Sequence, residues 1–306
     1  MSDTPHQRAS PAGARSSGFL SCGGKPTETP ASHREPSAPA EALPALRIES
    51  DLDHVVGPIR HEGSVWIGGD VLDGVEITAA GDVEVAGDVQ GAHIIAGGDI
   101  RIDGVVGGPG APVIEAGGSV SVQSARFATI LAGGDLSVGD YLARSTVTAY
   151  GHVRLERRRG HLTGGQVRAV GGLSVKRLGS SLGRATHVAL GRASVEEDHQ
   201  TLDERLHACA GGITRIAHRL AELAVLVDRE PSERAATMAE IRRLMRERER
   251  LSKLQTALRR RARMFERTPR TQAYLRVEGL VLRGVWVDVG KGAETLPPGV
   301  AVSIDA

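Results

Sequence analysis

Aromatic residues are scarce in this chain: Phe, Tyr and Trp together make up 3% of its 306 residues. A compact enzyme draws on such side chains for core area and for pocket walls, so their scarcity argues for thin, repetitive layers. Cysteine is equally sparse. Cys22 and Cys209 stand in segments of different character, which excludes a disulfide framework and suits a reducing compartment. No apolar run is long enough for a transmembrane helix, and Phe19-Leu20 is too short for the core of a signal peptide. A cytoplasmic protein is the expectation. Glycine, in contrast, is abundant, with 39 residues.

Residues 1–45 are rich in Pro, Ser, Ala and Gly and carry no periodic apolar positions, so a disordered tail is expected there. Arg8, Arg15, Lys25 and Arg34 balance Asp3, Glu28, Glu35 and Glu41, so the tail is not a basic arm.

From 46 to 195 the sequence repeats. Gly63, Gly81, Gly98, Gly118, Gly134, Gly151, Gly172 and Gly191 are separated by 18, 17, 20, 16, 17, 21 and 19 residues. Short alternating strands follow most of them, as in Asp82-Val83-Glu84-Val85 and Asp99-Ile100-Arg101-Ile102. Others precede them, as in His93-Ile94-Ile95-Ala96 and Thr129-Ile130-Leu131-Ala132. Period-2 alternation sends Val and Ile to one face, and self-similarity at a near-constant spacing marks a stacked repeat. The predicted fold is mainly β: a right-handed parallel β-helix. The six-residue period of left-handed acyltransferase helices is absent. With strands about 4.8 Å apart, the seven intervals make a rod on the order of 35 Å long. The glycines are assigned to corners, where positive φ costs them nothing, and the Ala before them to tight interior positions.

Residues 196–270 change character. Leu202, Leu206, Cys209, Ile213, Ile216, Leu220, Leu223 and Val227 alternate spacings of four and three, and Leu244, Leu251, Leu258 and Phe265 lie seven apart, after Ile241. These heptad seams, separated by Asp228-Arg229-Glu230-Pro231-Ser232, predict an antiparallel coiled-coil hairpin with Ser232 as N-cap. Gly211-Gly212 should cost about 1 kcal/mol each against Ala. The arm is expected to reach roughly 40 Å and to project from the rod's end. In 271–306 strand patterning returns. Gly284-Val285-Trp286-Val287 echoes Gly63-Ser64-Val65-Trp66-Ile67, so the chain is expected to rejoin the β-helix and close it.

Catalytic patterns are few. Gly179-Ser180-Ser181-Leu182-Gly183 fits G-x-S-x-G, but a nucleophile elbow needs a strand-to-helix turn. This motif lies between solenoid strands and reads as a β-turn. Gly23-Gly24-Lys25 resembles the end of a phosphate loop, yet Phe19 stands where its first glycine belongs and Pro26 follows the lysine. His199, Asp203 and His207 share a helical face and could hold a metal, although a solvated face with an acid–imidazole pair is the better account. The Gly-Asp pairs lack calcium-repeat spacing and read as turns. No cofactor, no metal, no small-molecule substrate and no enzyme activity are implied.

Charge is more informative. Residues 232–270 hold thirteen Lys or Arg against five acids, and 196–230 hold eight acids against four bases. Pairing across the hairpin with a solvated excess is the simplest reading. The excess makes Arg242, Arg243, Arg246, Arg259, Arg260, Arg261 and Arg263 the candidate partner-binding residues. The expected partner is a protein, or a second copy of the chain. Nucleic acid or an anionic membrane is less favoured, because no aromatic interleaves with the arginines.

The run from Gly81 to Ile100, with Ala132-Gly133-Gly134-Asp135-Leu136, Gly160-His161-Leu162-Thr163-Gly164-Gly165 and Ala185-Thr186-His187-Val188-Ala189-Leu190-Gly191, resembles the flagellar assembly protein A family over about 46–306. That resemblance implies a β-helix with a coiled-coil insertion and closing strands. It also implies a bacterial cytoplasmic protein linked in some members to polar flagellum assembly, with no catalytic residues. Members usually carry a folded N-terminal domain, where this sequence has the expected tail. A shorter stretch, 81–118, resembles the C-terminal β-helix of the division inhibitor MinC, whose Arg-Ser-Gly-Gln motif has only Arg144-Ser145-Thr146 as a counterpart. Two functional readings follow. One is a scaffold or localisation factor presenting a charged arm; the other is a self-assembling polymer of bactofilin type or a MinC-like division regulator.

Overall fold

The computed structural model of the chain describes residues 45–155, 157–229, 234–267, 272–289 and 293–305. The expected tail, Cys22, Gly23-Gly24-Lys25, and Glu230-Pro231-Ser232 with its N-cap lie outside the described residues.

The repeats wind into a parallel β-solenoid of roughly eight turns with three faces. On the first face Leu46–Ile48, Val65–Ile67, Val83–Val85, 100–102, 120–122, Leu136–Val138, His152–Leu155, 172–175 and 275–277 stack in register. The second face is narrow and runs from Leu52 through Val71 and Val89 to Val106, Ala125, Leu142, Leu162, Leu178 and Val281. The third climbs from Ile59–His61 through Glu76–Ala79, His93–Ala96, Val113–Ala116 and Thr129–Ala132 to Thr186–Leu190 and Val285–Asp288. Alternate residues point inward. The aliphatic centre they form is dry, with Ile67, Ile77, Ile94, Ile114, Leu142 and Leu162 fully buried. The alanines form a column of their own, Ala79, Ala96, Ala116, Ala132, Ala149 and Ala169, all buried at one corner.

The corner glycines are required for a reason other than the one expected. Gly63, Gly81, Gly98, Gly118, Gly134 and Gly151 do stack, each N–H from Gly81 upward donating to the glycine carbonyl one rung below at 2.8–3.1 Å. The seventh place belongs to Gly171, because a one-residue offset makes Gly172 the first residue of the next strand. Gly191 leaves the stack altogether, donating to Ala169 at the exit to the first helix. Of the eight glycines, only Gly172 and Gly191 adopt positive φ. At Gly81, Gly98, Gly118, Gly134 and Gly151 the constraint is space. A Cβ there would overlap the side-chain oxygen of Ser64, Asp82, Asp99, Ser119 or Asp135 from the rung below.

Those side chains have work to do along the rod. Ser64, Asp82, Asp99, Ser119 and Asp135 each accept the backbone N–H of the residue one rung higher, at Asp82, Asp99, Ser119, Asp135 and His152, over 2.7–3.2 Å. A second ladder runs from Asp51 to Asp70, Asp88 and Val105 over 2.7–2.8 Å. The Gly-Asp pairs are therefore a stacking unit, in which the glycine leaves room for the carboxylate below and the aspartate serves the rung above.

The C-terminal segment rejoins the rod. Residues 275–281 pair parallel with 173–178, and Val285–Asp288 pair parallel with 186–189. The echo of Val65-Trp66-Ile67 falls on the wrong face: Val285-Trp286-Val287 belongs to the third, and the true first-face counterpart is Leu275-Arg276-Val277. Ala293–Leu296 and Gly299–Asp305 then turn back and cap both edges in antiparallel register.

The insertion is a pair of long helices, α1 (Ala193–Arg229) and α2 (Arg234–Arg267), of 37 and 34 residues. At 1.5 Å per residue they extend about 50 to 55 Å. Their seams meet in reverse order: Leu202 and Cys209 pack on Leu258, whereas Ile216 and Leu223 pack on Leu244. The helix runs through Gly211-Gly212 without a break. A Cβ at buried Gly212 would press within 2.9 Å of Leu251, so this glycine admits the facing leucine.

Two outcomes are expected in urea denaturation. Gly117→Ala, whose Cβ would strike the Gly97 carbonyl, should cost about 1–3 kcal/mol, and Gly118→Ala, which meets the movable Asp99 carboxylate, should cost less. No loss at Gly118 would contradict the stacking account. Burial pushes the Asp135 carboxyl up, but the His152 N–H and the Arg154 guanidinium outweigh it and leave a value below the ordinary one. A depressed folded-state pKa contributes stability above the unfolded-state value, and that contribution is lost as pH falls through the folded-state one. Asp135→Asn should therefore be less stable at neutral pH and flatten the acid limb of a stability–pH profile.

Candidate functional site

Helix α2 is strapped along the outside of the rod and does not project from its end. Strict alternation on the third face would give polar residues outside, yet Leu131 lies there, almost fully buried. At the adjoining corner the column Gly97, Gly117, Gly133 is continued by Tyr150 and Val170. These three apolar residues pack with Val195, Met264 and Phe265 of the helices. The Phe265 ring meets Tyr150 edge-on at 6.4 Å, and Arg192 lies over it at 4.0 Å. One helical turn earlier, Arg261 forms a salt bridge with Glu115. Farther along, the Glu249 carboxyl is held below its ordinary value, first by the hydrogen bond and charge of Lys253 and in smaller part by Arg60 on the rod's first turns. Residues 249–265 span about 24 Å of helix, comparable with the five rungs between Arg60 and Tyr150 at about 4.8 Å each.

This placement divides the seven candidate arginines. Arg261 is half-buried and committed to Glu115. Arg259, Arg260 and Arg263 line a cleft of about 420 Å³ together with Thr256, Met264, Arg267 and the glycines Gly97, Gly117 and Gly133. Arg242, Arg243 and Arg246 are exposed on the distal part of α2, beyond Glu249. The cross-helix ion pair at that end, Arg219 to Glu240 at 3.3 Å, has its base on α1 and its acid on α2, opposite to the overall charge bias. The α2 excess is thus not consumed there.

The other motifs resolve into local structure. Ser180 bridges to Arg283, and its carbonyl and Oγ accept the N–H groups of Gly183 and Leu182, so Gly179–Gly183 is a turn with Leu182 exposed. His207 Nδ1 contacts the Asp203 carbonyl oxygen at 2.8 Å, and His199 Nδ1 lies 3.6 Å from Asp203 Oδ2. The His199 ring is packed on Phe265 at 4.1 Å, making it part of the hairpin's base. Among the described residues no group of three His, Cys, Asp or Glu could hold a metal ion, and no helix is long and apolar enough to cross a membrane. Cys209 is buried in the seam as a free thiol.

A model of the flagellar assembly protein A β-solenoid domain matches residues 44–296. The chain belongs to the flagellar assembly protein A family. No curated protein and no solved structure gives a significant match. The matched span includes the solenoid turns, both helices and the returning rung.

One cluster escaped the sequence reading of this family member. Arg157, Arg158 and Arg159 sit on an exposed corner with Arg158 at positive φ. Arg158 and Arg159 line a broad depression with Lys176, Arg177, Glu278, Gly279 and Leu280. Lys176 bonds the Arg158 carbonyl at 3.1 Å. The signal was present: Arg159 and Lys176 are one repeat apart, which becomes visible only when the sequence is wrapped on its own period.

Phe265→Ala should cost about 3–4 kcal/mol locally and undock the base of α2. Amide exchange across 256–267 should accelerate while 65–155 stays protected. Uniform loss of protection would argue against a separate docking contact.

Proposed function

We propose that this chain is a non-catalytic assembly or localisation factor of the flagellar assembly protein A type, acting in the cytoplasm of a bacterium by holding protein partners. The observation that carries the reading is the strap itself. A repeat core stiffened by two side-chain ladders presents a long two-helix arm, and the arm's distal arginines, Arg242, Arg243 and Arg246, are exposed and separate from the rod contact. Family membership supports a flagellar-assembly-related role. The solenoid supplies rigidity and length, and the arm supplies charge at a defined distance from it. The polymer reading gains no support from the C-terminal end, where antiparallel strands interrupt the parallel register that end-to-end growth would extend.

Replacing Arg242, Arg243 and Arg246 together by Gln leaves the seams and the Phe265 base untouched, so folding and melting temperature should stay near wild type. Quantitative affinity purification from the native host should show one or more wild-type partners depleted. Identical partner recovery from both proteins would remove the arm from the proposed role.

A further inference from the structure

The cleft between α2 and the rod has the composition of an anion site. Thr256, Arg260, Arg263 and Arg267 stand at helical spacings that place them on one side of α2, with Arg259 beside them. Among the described residues no acidic side chain lines the cleft, and no carboxylate lies within salt-bridge distance of Arg259, Arg260, Arg263 or Arg267. The acids two residues from its glycine floor, Asp99, Glu115 and Asp135, are all engaged, Glu115 by Arg261. Asp99 accepts the Ser119 N–H, and Asp135 accepts both the His152 N–H and Arg154. The floor offers no side chain either, since Gly97, Gly117 and Gly133 stack with their backbones in direct contact. Meanwhile Arg261 on Glu115 and Phe265 on Tyr150 pin the helix, so the cleft is held open.

We propose that this cleft binds a compact, soluble polyanion of phosphate chemistry, such as an oligophosphate. At about 420 Å³ its size falls in the range of small-molecule sites. Guanidinium forks match phosphate oxygens bidentately. Like charges one helical turn apart disfavour the helix that carries them, and a multivalent anion relieves that repulsion. Among the described lining residues none is aromatic, so no stacking platform for a nucleobase is offered there and recognition rests on the charged oxygens. This site is independent of the distal docking role, because it uses a different set of arginines.

Isothermal titration of the full-length protein with tripolyphosphate at low salt tests the proposal. Saturable one-to-one binding is expected, weakened by about tenfold or more in the Arg260→Gln/Arg263→Gln double variant, which removes two charge-assisted contacts. An Arg242→Gln/Arg246→Gln variant, which removes equal charge from the distal arm, should bind as wild type does. No saturable heat, or equal weakening in both variants, would overturn it. So would binding to phosphatidylglycerol vesicles with none to tripolyphosphate. Circular dichroism confirms that each variant remains folded.

Discussion

From its first turns to His152 the solenoid is registered by a hand-over at its corners, where a carboxylate or hydroxyl from one rung accepts the backbone N–H of the next. Parallel strands alone could slip along one another, since their backbone bonds recur at every second residue. A side chain that bonds one particular N–H and occupies the space of one particular Cβ removes that freedom. Asp82, Asp99, Ser119 and Asp135 do this on one edge, and Asp51, Asp70 and Asp88 on another. With register settled, the inward Val and Ile columns form without aromatic bulk, and the outer surface repeats closely enough for a helix to lie along it.

The strap depends on departures from that repetition. Where Gly97 and Gly117 hold the corner a cationic cleft remains between helix and rod, and at Gly133 Met264 already closes on it. Where Tyr150 and Val170 take over, the helix is in apolar contact. One column of residues therefore sets both the docked base and the open cleft. The arginines divide accordingly into a structural residue at Arg261, a cleft group, and a free distal group, although they look alike in sequence.

The solenoid was legible from its spacing because each repeat obeys the same local physics, and the hairpin seams were legible because heptads are unambiguous over such lengths. Two things were not. The role of the corner glycines was misassigned to backbone conformation, since a glycine needed for positive φ and one needed for clearance leave the same letter. The direction of the hairpin was also missed. It is determined by long-range contacts such as Leu131 with Met264, and its traces in sequence are slight: an outward-parity apolar residue, Leu131, and Tyr150 and Val170 in place of the repeat's first corner glycine. The final rung was foreseen, but its echo was set on the wrong face because Val-x-Val triplets occur on both.

Stacked-repeat proteins ordinarily behave as one-dimensional chains, in which each unit senses only its immediate neighbours and fraying at one end is unknown to the other. A helix that touches Tyr150, pairs with Glu115 and lines a cleft floored by Gly97 spans several rungs and breaks that rule. It acts as a splint whose fastening comes late: the first turns can wind up as the chain emerges from synthesis, while residues 249–265 arrive only after the last pre-insertion strand is made. Coupling among the rungs from Gly97 to Val170 is therefore completed only once α2 has been made.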